Sequence, residues 1–237
     1  MTDVAESSAA SLRAPLSGKG RSRKEEPPLL VVLLGPTGSG KSTLLNSLAQ
    51  DLVSAAGVMR PTSDRLVVWS QAGSRRPEEG SLAGLRAESA AGSDVLLQRL
   101  AIVDTPDLDS DITAHRELAL EAADRSEGLV FVVSPVRYAD AALWSAVEGL
   151  AVTRKPILFV LNRATPDTAA ATAGLSAMIE HRLRGVPDPL EVPELRPSRV
   201  ILPAPIVSGL RSHLMGWGRR SNAIRRMVRA AAETNHA

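Results

Sequence analysis

The chain has 237 residues, 44% of them apolar, which is enough for one sizeable core and tight for two. It contains no cysteine, which excludes disulfides, thiolate chemistry and cysteine-held zinc, and its 4 histidines are too scattered to suggest a metal cluster. A formal charge of +2 makes no general case for nucleic acid, and without an apolar run of membrane-spanning length or a signal-peptide core a cytoplasmic protein is expected, with peripheral membrane contact left open.

Residues 1–27 are rich in Ser, Ala and Gly, carry mixed charge and lack periodicity, so they read as a disordered leader. An α/β domain is expected over 28–232, followed by a short tail, 233–237. Apolar runs predict strands over 29–34, 65–70, 98–103, 128–133, 156–161 and 199–207. Amphipathic runs predict helices over 41–52, 112–124, 138–150, 168–182 and 212–232. Their alternation predicts an α/β three-layer sandwich, a mostly parallel central sheet with helices on both faces. The polar stretch 73–94 reads as an insertion outside the core, and the proline-rich stretch 184–198 as a connector. Arg211, Arg219, Arg220, Arg225, Arg226 and Arg229 crowd the last helix, but apolar residues recur on its other side and the basic face reads as solvated.

The first strand runs into "GPTGSGKST", which satisfies G-x-x-x-x-G-K-[ST] at every fixed position. Polyphosphate must be wrapped by backbone N–H groups that a Cβ would hold away, and Gly35, Gly38 and Gly40 permit that curvature around Ser39. Lys41 supplies a point charge for the β- and γ-phosphates. Ser42, followed by Thr43, offers a hydroxyl to Mg²⁺ at the start of a helix whose positive end faces the anion. "LAIVDTPD" ends a strand in Asp104, the acid that in P-loop proteins holds Mg²⁺, usually through water.

These motifs, with "RPTSD", "LNR" and "VSGL" in order, resemble the G domain of a translation-factor-class GTPase of the Era-like or bacterial dynamin-like type. The resemblance implies GTP as substrate and GDP as product, with Mg²⁺ held by Ser42, Thr62 and Asp104. It implies that Thr62 joins Lys41 in acting on the γ-phosphate. It further implies that Asn162 touches the guanine, that Arg163 lays its stem over the base, and that Ser208 begins a loop contacting the guanine oxygen.

The departures from the family are specific. The base-reading Asp expected at position 165 is Thr165, with Asp167 two residues later, either reading the base or capping the next helix. The glycine expected at 107 is Asp107, whose N–H can face the γ-phosphate but whose carboxylate opposes it. The water-orienting position is Leu108, which neither donates nor accepts, and Gly38 has no side chain for a monovalent cation. Asp109, Asp111 and His115 read as loop acid, helix cap and solvated helix residue. Slow hydrolysis is therefore expected, sped by an activating protein or a G-domain homodimer. The alternatives are a switch or scaffold with vestigial hydrolysis, or a P-loop ATPase or kinase. Of the ATPases, the ABC type lacks its Glu after Asp104 and its downstream signature.

Overall fold

The computed structural model describes residues 27–55, 64–74, 77–195 and 199–235. Strand β1 (Leu29–Leu34) is six apolar residues buried without exception, which requires cover on both faces of a sheet. It pairs in parallel with β4 (Leu100–Asp104) on one side and β5 (Gly128–Val133) on the other. Beyond β5 lie β6 (Ile157–Ala164) and β7 (Leu190–Pro193), both parallel to it. Beyond β4 lies β2 (Leu66–Gln71), antiparallel to β4, and then β3 (Ala87–Gly92), parallel to β2. The order β3-β2-β4-β1-β5-β6-β7 is a seven-stranded, mostly parallel sheet, the α/β fold of P-loop NTPases.

Successive strand residues point to opposite faces, and each face has its own core. Leu30, Val32, Phe131 and Phe159 face α2 (Thr113–Arg125), α3 (Ala141–Ala151) and α4 (Ala169–Arg182). Leu29, Val31, Val130 and Leu158 face α1 (Lys41–Ala49), α5 (Ser208–Arg219) and α6 (Ser221–Asn235). Two buried or half-buried charges pin helices to strands. Lys155, just before β6, donates to the carbonyls of Ala123 and Asp124 at 2.9 and 2.5 Å, satisfying the free end of α2. Burial lowers its pKa, against the pull of Asp124 and Glu127. Glu127 accepts from the Leu30 N–H at 2.8 Å and from Arg225 of α6 at 2.8 Å.

Several expected boundaries are corrected. Residues 199–207 form no strand: Pro203 and Pro205 remove ladder donors, and the chain turns directly into α5. The last strand is instead β7, inside the segment read as a connector, and its proline is tolerated because the strand lies at the sheet edge. The stretch read as an insertion supplies β3 and the fully buried Leu82. Helix α1 stops at Ala49 because the Asn46 side chain gathers the backbone of the next turn, accepting from the N–H groups of Val53 and Ser54 and donating to the Ser54 carbonyl. The single C-terminal helix expected over 212–232 is two, separated at Arg220.

Candidate nucleotide site

Residues 35–40 link β1 to α1 at the carboxyl end of the sheet, where open α/β sheets bind ligands. A Cβ on Gly35 would lie 2.1 Å from the Val132 carbonyl oxygen, and one on Gly40, which has φ +97°, would lie 2.2 Å from Asn162 Nδ2. Neither position admits a side chain. Gly38 is at the exposed tip. The loop curls around Lys41, which is 4% exposed and donates to the carbonyls of Gly35 and Pro36 at 3.0 and 3.4 Å.

Ser42 Oγ and Ser54 Oγ both donate to Asp104 Oδ2 at 2.6 Å. Asp104 is buried, and burial raises its pKa more than Lys41 and the two hydroxyls lower it. Its other oxygen, Oδ1, is buried with no hydrogen-bond partner among the described residues, as is Ser39 Oγ. A divalent cation beside Ser42 would give that oxygen a partner and keep the carboxylate charged, so this donor set fits Mg²⁺, a hard cation that prefers oxygen. Thr62 lies outside the described residues.

The segment after β4 lies over the phosphate loop. Thr105 Oγ1 donates to the Leu33 carbonyl at 2.8 Å, and the Leu108 N–H donates to the Gly35 carbonyl at 3.2 Å. Leu108 itself is buried in the core. Asp107 forms a 2.6 Å ion pair with Lys41. Asp109, read as an ordinary loop acid, instead accepts from the Thr37 N–H at 2.6 Å and the Thr37 hydroxyl at 2.8 Å, while its second oxygen pairs with Arg137. Burial pushes its pKa up, but the Thr37 donors and Arg137 outweigh burial and hold it below the ordinary value. Arg137 also reaches Asp140 at 3.1 Å, and Asp140 caps α3 by accepting from the Leu143 N–H at 3.0 Å. Asp111 does not cap α2: Ile112 holds that position, its N–H donating to Ser110 Oγ at 3.3 Å. His115 Nδ1 lies 3.3 Å from the same hydroxyl.

The ion pair predicts a competition. A terminal phosphate and Asp107 need the same ammonium group, so Asp107→Gly is expected to tighten triphosphate binding about tenfold while lowering the melting temperature of the ligand-free protein, where Lys41 loses its partner. Calorimetric titration of both proteins with a non-hydrolysable triphosphate checks this, and unchanged affinity would count against the competition.

At the other end of the loop, Asn162 is 4% exposed and its Nδ2 donates to the Ser39 carbonyl at 2.8 Å. Arg163 follows at φ +63° in a bulge of β6 and is exposed. Both line a recess of about 50 Å³, with Thr43, Glu194, Arg199 and Leu202. Asp167 and Ser208 do not line it. Asp167 is exposed in the turn Pro166–Thr168 and does not cap α4; Thr168 holds that position, while its hydroxyl accepts from the Thr165 N–H at 2.8 Å and closes the capping box of the turn. Ser208 opens α5 and donates to the Pro205 carbonyl at 2.7 Å. Glu194 and Arg199 had no sequence signal, because they follow an edge strand too short to show a period.

A family model, the AAA ATPase domain, matches residues 11–161, more than half of the chain. The chain belongs to that family. An AAA ATPase domain is a P-loop NTPase domain, and the phosphate loop and Asp104 both fall within the match. Solved structures agree on the fold. One of an oligomerised bacterial dynamin pair, described as a mechanism for long-range sensing and tethering of membranes, aligns at TM-score 0.61 and 14% identity, over 90% of this chain and 41% of that one. Era in complex with MgGDPNP and a segment of 16S ribosomal RNA aligns at 0.53 and 15%, over 80% and 56%. A variant of Aquifex aeolicus Era bound to GDP and AlF4⁻ aligns at 0.54 and 16%, over 80% and 57%. The chain thus spans 41 to 57% of the length of these proteins. Comparison with curated proteins gives no match. Among the described residues, no helix is long and apolar enough to cross a membrane.

Proposed function

We propose that this AAA ATPase domain family member binds GTP with Mg²⁺ and hydrolyses it to GDP and phosphate as a molecular switch, with residues 28–232 as its G domain. The observation that carries the reading is the contact between Asn162 and the Ser39 carbonyl, which joins the end of β6 to the phosphate loop beside the recess. Such a contact is what a base reader coupled to a phosphate cradle requires. The structural likeness to Era, seen with MgGDPNP and with GDP and AlF4⁻, supports it.

In this reading Gly35, Gly38, Ser39, Gly40 and Thr43 wrap the phosphates. Lys41 and Thr62 act on the γ-phosphate, and Ser42, Thr62 and Asp104 hold Mg²⁺. Hydrolysis is slow in the isolated chain because Leu108 is buried and cannot guide water. An activating protein or a second G domain speeds it, and the likeness to a bacterial dynamin pair that oligomerises supports the latter.

The family match favours a second reading, an ATPase. In the guanine reading Glu194, the carboxylate among the described residues lining the recess, takes the part expected of Asp167 and accepts from the two N–H donors of guanine. Competition of GTP and ATP against a labelled nucleotide decides between the readings. The wild type is expected to prefer GTP by about a hundredfold or more. Glu194→Gln is expected to lose about tenfold to a hundredfold of that preference, and Asp167→Ala little. Equal competition by ATP would retire the guanine reading and leave an ATPase, and single-turnover hydrolysis then separates either enzyme from a switch that does not hydrolyse.

A further inference from the structure

Asp109 makes the contacts of a bound anion. One oxygen takes the N–H and hydroxyl of Thr37, the third residue of the phosphate loop, and the other takes the guanidinium of Arg137, from the loop after β5. Asp107, two residues earlier, occupies Lys41. The segment after β4 therefore neutralises two cations at the phosphate loop with two of its own carboxylates.

We propose that Arg137 is this chain's own phosphate-facing arginine, and that Asp109 holds its place until the terminal phosphate of a nucleoside triphosphate takes over the Thr37 and Arg137 donors. The proposal rests on the nucleotide-hydrolase reading above and adds the charge that reading lacks. Thr37 N–H, Thr37 hydroxyl and Arg137 guanidinium converge on one carboxylate, and a phosphate presents the same kind of acceptor oxygens. Arg137 has an anchor besides Asp109. Asp140, fixed by its own bond to the start of α3, shares the same guanidinium nitrogen, Nη2, and keeps hold of it when Asp109 lets go. The Arg137 side chain is 39% exposed, so it has room to turn, and its planar fork suits a phosphate where an ammonium would not.

The chemistry this serves is attack of water on the γ-phosphorus. A new P–O bond forms, the bond to the bridging oxygen breaks, and its electron pair leaves on the diphosphate. The water proton ends on inorganic phosphate. Arg137 gives up no proton; it neutralises charge spread over the phosphoryl oxygens in the transition state.

The test measures binding as well as turnover. Arg137→Ala is expected to keep GDP affinity within about twofold, to weaken assembly of the GDP and aluminium fluoride complex at least a hundredfold, and to slow hydrolysis by about 10³. Arg137→Lys, which retains a charge for Asp140 and guards against a folding defect, is expected to recover little of the fluoride complex. Asp109→Ala is expected to tighten GTPγS about tenfold relative to GDP. An unchanged fluoride complex in both Arg137 variants overturns the proposal, and so does equal loss of GDP and GTPγS, which is the signature of a strut. The same pattern with ADP and ATPγS in place of the guanine nucleotides would retire guanine and leave Arg137 in its role. A wild type that binds neither base overturns both readings.

Discussion

Lys41→Ala is expected to abolish nucleotide binding, weakening it by at least about 10³-fold in a titration with labelled GDP or GTP. The ammonium is enclosed by the loop it serves, 4% exposed and bonded to the Gly35 and Pro36 carbonyls. Truncating a buried, hydrogen-bonded charge opposite an anion costs about 2 to 5 kcal/mol or more, and here the loss is compounded because those two carbonyls then face the phosphates undamped. Asp107, freed of its partner, adds repulsion. Arg137, which meets the loop from outside, through Asp109 at Thr37, cannot replace a charge set inside the loop. The ligand-free variant should still melt cooperatively, since Asp107 lies near solvent. Affinity within twofold of the wild type would mean that the loop does not bind phosphate at all.

Phe131→Ala is expected to destabilise the fold by about 3 to 5 kcal/mol, read as a fall in the urea midpoint. Phe131 is fully buried on β5, the strand next to β1, and stacks on Phe159 with ring centres 5.3 Å apart. Phe159 in turn stacks on Trp144 of α3 at 5.6 Å, and the Arg182 guanidinium covers that indole at 5.2 Å. The ladder joins two strands and two helices with very few rings, because aromatic residues make up only 3% of the chain and no surplus ring can slide into the gap. Val132, the next residue, places its carbonyl against Gly35, so slack in β5 reaches the phosphate loop. Phe131→Leu, which keeps most of the volume, should cost about 1.5 kcal/mol or less. A loss below about 1 kcal/mol for the alanine variant would show that the helices collapse onto the sheet and close the cavity.

What could be read from the sequence was local. The strand 128–133 falls where its apolar run lies, and the phosphate loop is a contiguous motif between a strand and a helix. The failures have physical causes. Residues 199–207 are apolar enough to suggest a strand, but two prolines deny them the ladder; β7 has four residues and shows no period. The contacts that define the site join residues far apart in the chain: Lys41 to Asp107 across 66 positions, Thr37 to Asp109 across 72, Asp109 to Arg137 across 28. No spacing rule connects such partners, so Asp109 read as a plain loop acid and Arg137 drew no notice; in the proposed reading Glu194, which lines the recess, takes the part expected of Asp167.

The bond from Asn162 to the Ser39 carbonyl has a consequence for how a ligand is felt. One side-chain amide ties the end of β6 to the curve of the phosphate loop, so in the proposed reading the two ends of a nucleotide are received by parts joined to each other. Binding energies measured on the separate halves of such a ligand are then not additive. Whatever factor a well-seated base contributes to the hold on the phosphates, well-seated phosphates must return to the base, since coupling between two binding events is reciprocal. In that reading the end of β6 and the loop form one cooperative receptor, and its selectivity belongs to the joint and not to either surface alone.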